Sequence, residues 1–269
     1  MTVAYLRSMT RPVGELLRGW REHRRLSQLQ LAVQADISTR HLSFVETGRA
    51  QPSREMLLHL CEELEVPLRE RNRLLLAAGF APVYRERALD EPSMAAVREA
   101  VRQVLAAHDP YPAMVVDRRW NLVDANTSMA AMFVDLVSPE LLAPPANVLR
   151  ASLHPDGCAP HIANLGEWRA HLLGRLRRQA AGTGDEELAA LYEELRRYPC
   201  EQPEPLVELP GPGDVVVPMR LRHQAGELAF FTTVATFGTP LDVTVAELMI
   251  ESFYPADAAT AKVLKAAAG

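Results

Sequence analysis

SQLQLAVQADISTRHLSFVETGRAQPSREMLLHLCEELEVP, residues 27–67, decides the fold of the N-terminal part of the chain. Its apolar residues recur at helical spacing in short runs, and the runs open on serines where helix caps belong. Ser27 with Gln30 three residues later has the capping-box pattern and starts a helix through Leu29, Leu31, Ala32 and Ala35. Asp36-Ile37 makes a short turn, Ser38 caps a third helix from Thr39 to Thr47, and Gly48 is placed to stop it. Pro52-Ser53 opens a fourth helix with Met56, Leu57, Leu60, Cys61 and Leu64 on its apolar face. A fifth, Leu68 to Ala78, follows Pro67 and ends at Gly79. Working outward the other way, Val13, Leu16, Leu17 and Trp20 mark a first helix from Val13 to Arg25.

The second and third helices, joined by a tight turn, read as a helix-turn-helix unit. Leu42 and Val45 point inward with Ile37, so Thr39, Arg40, Ser43, Phe44 and Thr47 share the opposite face. Such a helix fits a major groove, where Arg40 can make a bidentate contact to guanine and Phe44 can meet thymine methyls. Two blander readings stand beside this one. The face could be merely solvated, with Phe44 packed on the second domain, or the unit could dock onto protein in place of DNA.

The stretch resembles the five-helix domain of Xre-type (lambda-repressor-like) regulators, without gaps over residues 13–78, including Glu46 and Gly48. The resemblance implies that Gln28 touches a phosphate and that Thr39, Arg40, Ser43 and Phe44 read bases. It also implies backbone contacts from Arg49, Ser53 and Arg54, with double-stranded DNA as the partner. Regulators of this type usually bind pseudo-palindromic sites as homodimers.

Charge agrees with that division of labour. Residues 1–87 hold 14 arginines against 10 acidic residues, whereas residues 88–269 hold 15 basic against 24 acidic ones. Only the first part suits phosphate. With 48% apolar residues the 269-residue chain can bury a proper core, and its length suits two domains. No run approaches the ~20 apolar residues of a membrane helix or forms a signal peptide, so a cytoplasmic protein without membrane contact is expected. Three scattered cysteines argue against a disulfide framework.

Periodicity fails in PVYRERALDEP, residues 82–92, which sets a boundary: a DNA-binding domain at 1–82, a linker and connecting helix at 83–107, and a second domain at 108–269. The helix Met94–Ala107 is a candidate dimer contact. Ala113–Asp117 and Trp120–Asp124 read as a hairpin, and Asn126 caps a helix reaching Phe133. Helices are expected at Leu141–Leu149, Ile162–Ala180 and Glu186–Arg197, and strands at Val215–Arg222 and Leu228–Phe237. Val243–Phe253 suits either period. The whole reads as a multidomain α and α+β protein, an antiparallel sheet with helices on one face following the helical domain.

YPAMVVDRRWNLVDAN (residues 111–126), HPDG (154–157) and TTVATFGTPLDVTVAELMIESFYPAD (232–257) resemble the ligand-binding domain of MmyB-like transcription regulators. That resemblance implies a PAS-like fold, with Val243–Phe253 as its last strand, and a small apolar effector such as a fatty acid. Met114, Val116, Trp120, Met129, Phe133, Trp168, Leu172 and Phe231 are the candidate lining, with Met132, Phe230 and Phe237 beside them. A carboxylate head would want Arg150 or His154. The same residues could simply form a core, which would leave the domain as a protein-interaction or dimerisation module without a ligand.

Other chemistry is set aside. His154, Asp156, Cys158 and His161 have no zinc spacing, Gly211–Asp214 is a turn before a strand and no phosphate cradle, and no nucleophile elbow occurs. The expectation is a regulator with no cofactor and no enzyme activity.

Overall fold

A computed structural model of the chain describes residues 11–205 and 216–267. The Gly211–Asp214 turn and Val215, the expected first residue of a strand, lie outside them. The described chain divides into two units: one runs to residue 88 and includes 239–246, and the other holds the remainder from residue 89 onward.

In the first unit five helices form, α1 (Val13–His23), α2 (Gln28–Gln34), α3 (Thr39–Glu46), α4 (Arg54–Glu63) and α5 (Leu68–Ala77). Serine caps start three of them. Ser27 Oγ accepts from Gln30 N at 3.2 Å while Gln30 Oε1 accepts from Ser27 N at 2.8 Å. Ser38 and Ser53 accept from His41 N and Met56 N at 3.1 and 3.2 Å, and a cap of this kind contributes about 1 kcal/mol. Asp36, in the turn between α2 and α3, has a φ of 50°, which a short polar side chain tolerates. Leu31, Leu42, Leu57 and Leu60 are fully buried between the helices. Segment 239–246 adds to this unit: Val243 N donates to Arg85 O at 2.8 Å, and Thr244 Oγ1 donates to Arg87 O at 2.7 Å.

Helices α1 and α3 meet at Gly14, where a Cβ would stand 2.4 Å from the Val45 carbonyl oxygen and 2.6 Å from that of Glu46. Backbone cannot yield as a side chain does. Gly14→Ala is therefore expected to lose about 1–3 kcal/mol, as overpacking does, seen as a lower urea midpoint for this unit. An unchanged midpoint would mean that the two helices separate at no cost.

The second unit begins with α6 (Ala95–His108). There follow β1 (Ala113–Val116), β2 (Leu122–Ala125), α7 (Thr127–Phe133), α8 (Pro139–Leu142), α9 (Val148–Leu153), α10 (Leu165–Thr183) and α11 (Glu186–Leu195). Strands β3 (Met219–His223), β4 (Gly226–Ala235) and β5 (Met249–Pro255) complete a five-stranded antiparallel sheet in the order β2-β1-β5-β4-β3. The short α12 (Val243–Ala246), which belongs to the first unit beside its five helices, precedes β5 in sequence, and α13 (Ala258–Ala267) ends the chain described. Across the sheet Met114 stands opposite Glu251, and Glu251 opposite Val234. This is the PAS-like sheet with covering helices. On one face Val116, Leu153, Leu176, Leu195 and Phe230 pack with Trp120 into the main core.

Helices cover part of the other face as well. Val101 and Leu105 of α6 pack with Val115, Leu248 and Ile250, so the expectation of helices on one face only is corrected. All four residues of β1, AMVV, are apolar and buried, and both parities of such a strand need cover. The helix expected at Leu141–Leu149 is two, because Pro144-Pro145 removes two successive N–H donors and Asn147 then caps α9. Val243–Phe253 holds both periods in turn, a helical turn in α12 and then β5. Trp120, expected in a strand, sits in the hairpin turn at a φ of 67°.

Candidate nucleic-acid interface and ligand cavity

The outer face of α3 is arranged as a reading surface. Arg40 is exposed, its Cζ lies 5.3 Å from the centroid of the Phe44 ring, and it forms no ion pair among the described residues. Thr39, Ser43 and Phe44 are half-buried beside it. At the start of α2, Gln28 Nε2 donates to Glu46 Oε2 at 2.8 Å. Glu46 is itself buried and receives Arg21 Nε at 2.6 Å and Nη2 at 2.9 Å, while Arg21 Nη1 donates to Leu26 O at 2.8 Å. A buried, bidentate ion pair thus fixes the Gln28 side chain, and its second amide hydrogen is left for an outside acceptor such as phosphate.

Around this face Arg49 and Arg54 are exposed and can approach phosphates. Ser53 is more committed. Its oxygen caps α4, and its hydroxyl, after the Glu55 backbone N–H, holds the Glu55 carboxyl below the usual carboxylate range. A phosphate at Ser53 would meet that carboxylate.

In the second unit an almost wholly apolar cavity of about 200 Å³ lies between the sheet and its helices. Met114, Met129, Phe133, Trp168 and Leu172, five of the residues picked from sequence, line it. The rest of that set lies elsewhere. Val116 and Trp120 are packed core at 0% and 1% exposure, away from the cavity wall. Phe231 points to the opposite side of the sheet and stacks on Tyr254 at 5.2 Å, because strand alternation turns its neighbour Phe230 inward. Phe237 packs with the α6 cluster, and Met132 and Phe230 pack on the main core without lining the cavity.

The two head-group candidates are also engaged away from it. Arg150 donates from Nε and Nη2 to the two carboxylate oxygens of Glu194, at 2.7 and 2.8 Å. That pairing holds the Glu194 carboxyl below its ordinary range. Burial first, and Glu194 second, push the Tyr198 hydroxyl beside it up to about 12. His154 sets its ring edge-on to Tyr198 at 4.9 Å, and its Nδ1 accepts from Asp156 N at 3.0 Å. On α9 Val148, Leu149, Ala151 and Ser152 line the cavity, while Arg150 between them turns its side chain to Glu194 of α11.

Sequence reading missed much of the remaining wall, and the acidic residue among those missed is Glu251. It lines the cavity from β5 with a side chain only 5% exposed, and its carboxylate stands 3.4 Å from Arg175 Nη1. The Thr232 hydroxyl also bonds to it, and burial pushes its carboxyl up against the opposing pull of Arg175 and Thr232. The signal is there once the segment is read as a strand: in Met249-Ile250-Glu251-Ser252-Phe253 the acid shares the parity of two inward apolar residues. Cys158, also on the wall, has its thiol pushed up by burial to about 12, so it stands there as a neutral group. Among the described residues no group of three His, Cys, Asp or Glu side chains is arranged to hold a metal, and no helix is long and apolar enough to cross a membrane.

Comparison with known families adds to this geometry. The model described as the MmyB-like transcription regulator ligand binding domain matches residues 97–267, and a helix-turn-helix domain model matches residues 12–74. No curated protein matches the chain significantly.

Proposed function

Because the chain belongs to the family with the MmyB-like transcription regulator ligand-binding domain and carries a helix-turn-helix domain ahead of it, we propose that it is a sequence-specific DNA-binding regulator of Xre type whose second domain takes a small apolar effector such as a fatty acid. The observation that carries the DNA reading is the outer face of α3, where Arg40 is exposed and forms no ion pair among the described residues, beside a Gln28 that Glu46 holds in place. The site residues follow from it: Thr39, Arg40, Ser43 and Phe44 towards the bases, and Gln28, Arg49 and Arg54 towards phosphates. The chain acts as a homodimer on a pseudo-palindromic site, since two-fold symmetry doubles these contacts.

The cavity supports the effector. Its walls are apolar, with methionine and aromatic side chains that adapt to an alkyl chain, and at about 200 Å³ it suits a short one. Binding changes operator affinity only to the extent that the effector binds the two states of the regulator unequally. Extraction of the purified protein followed by mass spectrometry tests this part. A domain that never carries or accepts an apolar molecule is a protein-interaction module instead.

A genomic binding selection with wild type beside Arg40→Ala tests the DNA reading. Wild type is expected to enrich a palindromic motif, and the variant to lose one guanine position, about 1–3 kcal/mol of discrimination. If neither enriches a sequence, the helix-turn-helix docks onto protein.

A further inference from the structure

An apolar cavity with one acidic group in its wall selects among ligands by what it refuses. Glu251 is the ionisable residue on the wall with a charged partner, Arg175, which approaches from α10 at 3.4 Å. Arg175 does not line the cavity; its guanidinium lies over the Trp120 ring, Cζ 4.3 Å from the centroid. The pair is therefore turned so that its acidic member lines the ligand space, while its basic member, partly exposed, lies over Trp120 away from it. The other polar groups on the wall are weak or engaged. Ser152 Oγ accepts from Trp168 Nε1 at 3.1 Å, and the Cys158 thiol is neutral. From β1 the residue facing Glu251 is Met114, and from β4 Val234 stands opposite with Thr232 alongside, so among the described residues Arg175 is the charge that reaches the group.

We propose that Glu251 is the polar anchor of the effector cavity, and that the cavity takes an alkyl chain ending in an uncharged hydrogen-bond donor, such as a hydroxyl, in preference to an ionised carboxylate. This rests on the cavity being the effector site. The physical reason is net charge. The Glu251–Arg175 pair is neutral as it stands, so a hydroxyl adds a hydrogen bond and no charge. An ionised carboxylate adds a second negative charge beside Glu251 in an apolar wall, where it is costly. A fatty acid can enter only if a proton is taken up with it, on its own carboxyl group or on that of Glu251.

The test uses three probes on the full-length protein by titration calorimetry: 1-octanol, its isomer heptyl methyl ether, which lacks the donor, and octanoate. Wild type is expected to bind octanol about tenfold or more tightly than either of the others at about pH 8. In Glu251→Gln the amide oxygen still accepts from octanol, so that affinity stays within about threefold while octanoate gains about tenfold. A residue that only supports the fold would leave the octanol-to-octanoate ratio unchanged. Equal binding of octanol and its ether by wild type overturns the proposal without any variant. So does a wild-type octanoate affinity equal to that for octanol. If the probes bind but do not discriminate, the cavity reading survives and the anchor fails; if none binds wild type, both fall.

Discussion

Arg21→Ala is expected to cost the N-terminal unit about 3–5 kcal/mol, the penalty of leaving one member of a buried ion pair uncompensated. The Glu46 side chain is 1% exposed and that of Arg21 10%, and two hydrogen bonds at 2.6 and 2.9 Å join them across 25 residues of sequence. Without Arg21, Glu46 keeps only the Gln28 amide, and the Leu26 carbonyl loses its Arg21 donor as well. Amide hydrogen exchange along α1 to α5 reads the loss for this unit alone, since the protection of its slowest amides tracks unfolding. A loss below about 1 kcal/mol would mean that water reaches Glu46 in the folded state. The double variant Arg21→Met/Glu46→Leu separates two roles. Replacing the whole pair by apolar residues is often neutral, so stability should return to near wild type. Operator affinity should not return, because nothing then holds the Gln28 side chain. If it does return, Gln28 does not need Glu46 in order to reach phosphate.

How much of this was legible in the sequence depends on the distance over which each interaction acts. The caps of α2, α3 and α4 lie within three residues of their partners, so Ser27, Ser38 and Ser53 could be read directly. The outer face of α3 follows from the helical period for the same reason. The Arg21–Glu46 pair is not local. Glu46 could be matched to a family pattern, but nothing in the spacing says that it turns inward to meet Gln28 and Arg21. The cavity shows the same limit. Period-two alternation separates Phe230 from Phe231 only once the inward parity of β4 is known, and that parity is set by Thr232 lying opposite Phe253. Arg150 looked available because Glu194, its partner, is 44 residues away. Glu251 shares a parity with Met249 and Phe253, but that signal becomes legible only once Met249–Pro255 is known to be a strand, and Val243–Phe253 was ambiguous in period. Pro144-Pro145 was a local signal of the break between α8 and α9, yet the sequence reading ran a single helix through it.

Trp120→Ala is expected to cost the second unit about 3–5 kcal/mol, the loss usual for a large buried aromatic. The ring is 1% exposed, and its Nε1 donates to Gln179 Oε1 at 2.8 Å, while Gln179 Nε2 holds the Arg118 carbonyl at 2.7 Å. Its backbone is held in the left-handed region, with Trp120 N donating to Asp117 O and Trp120 O accepting from Val148 N. Alanine at a φ of 67° keeps that strain and gives up the packing that offset it. The consequence extends to the cavity, although Trp120 does not touch it. Arg175 lies on the indole face and pairs with Glu251, so removal of the ring frees the guanidinium and loosens the acid on the wall. Trp120→Phe keeps an aromatic face under Arg175 and loses the Nε1 bond, so a smaller loss of about 1–3 kcal/mol is expected. Urea unfolding of both variants, with octanol binding measured below the midpoint, decides what the residue does. If Trp120 acts through packing and Arg175, phenylalanine lowers the midpoint but leaves octanol affinity within about threefold of wild type. Were it part of the ligand surface, affinity would fall in step with ring size while the midpoint held, and the chain of contacts from Trp120 through Arg175 to Glu251 would lose its first link.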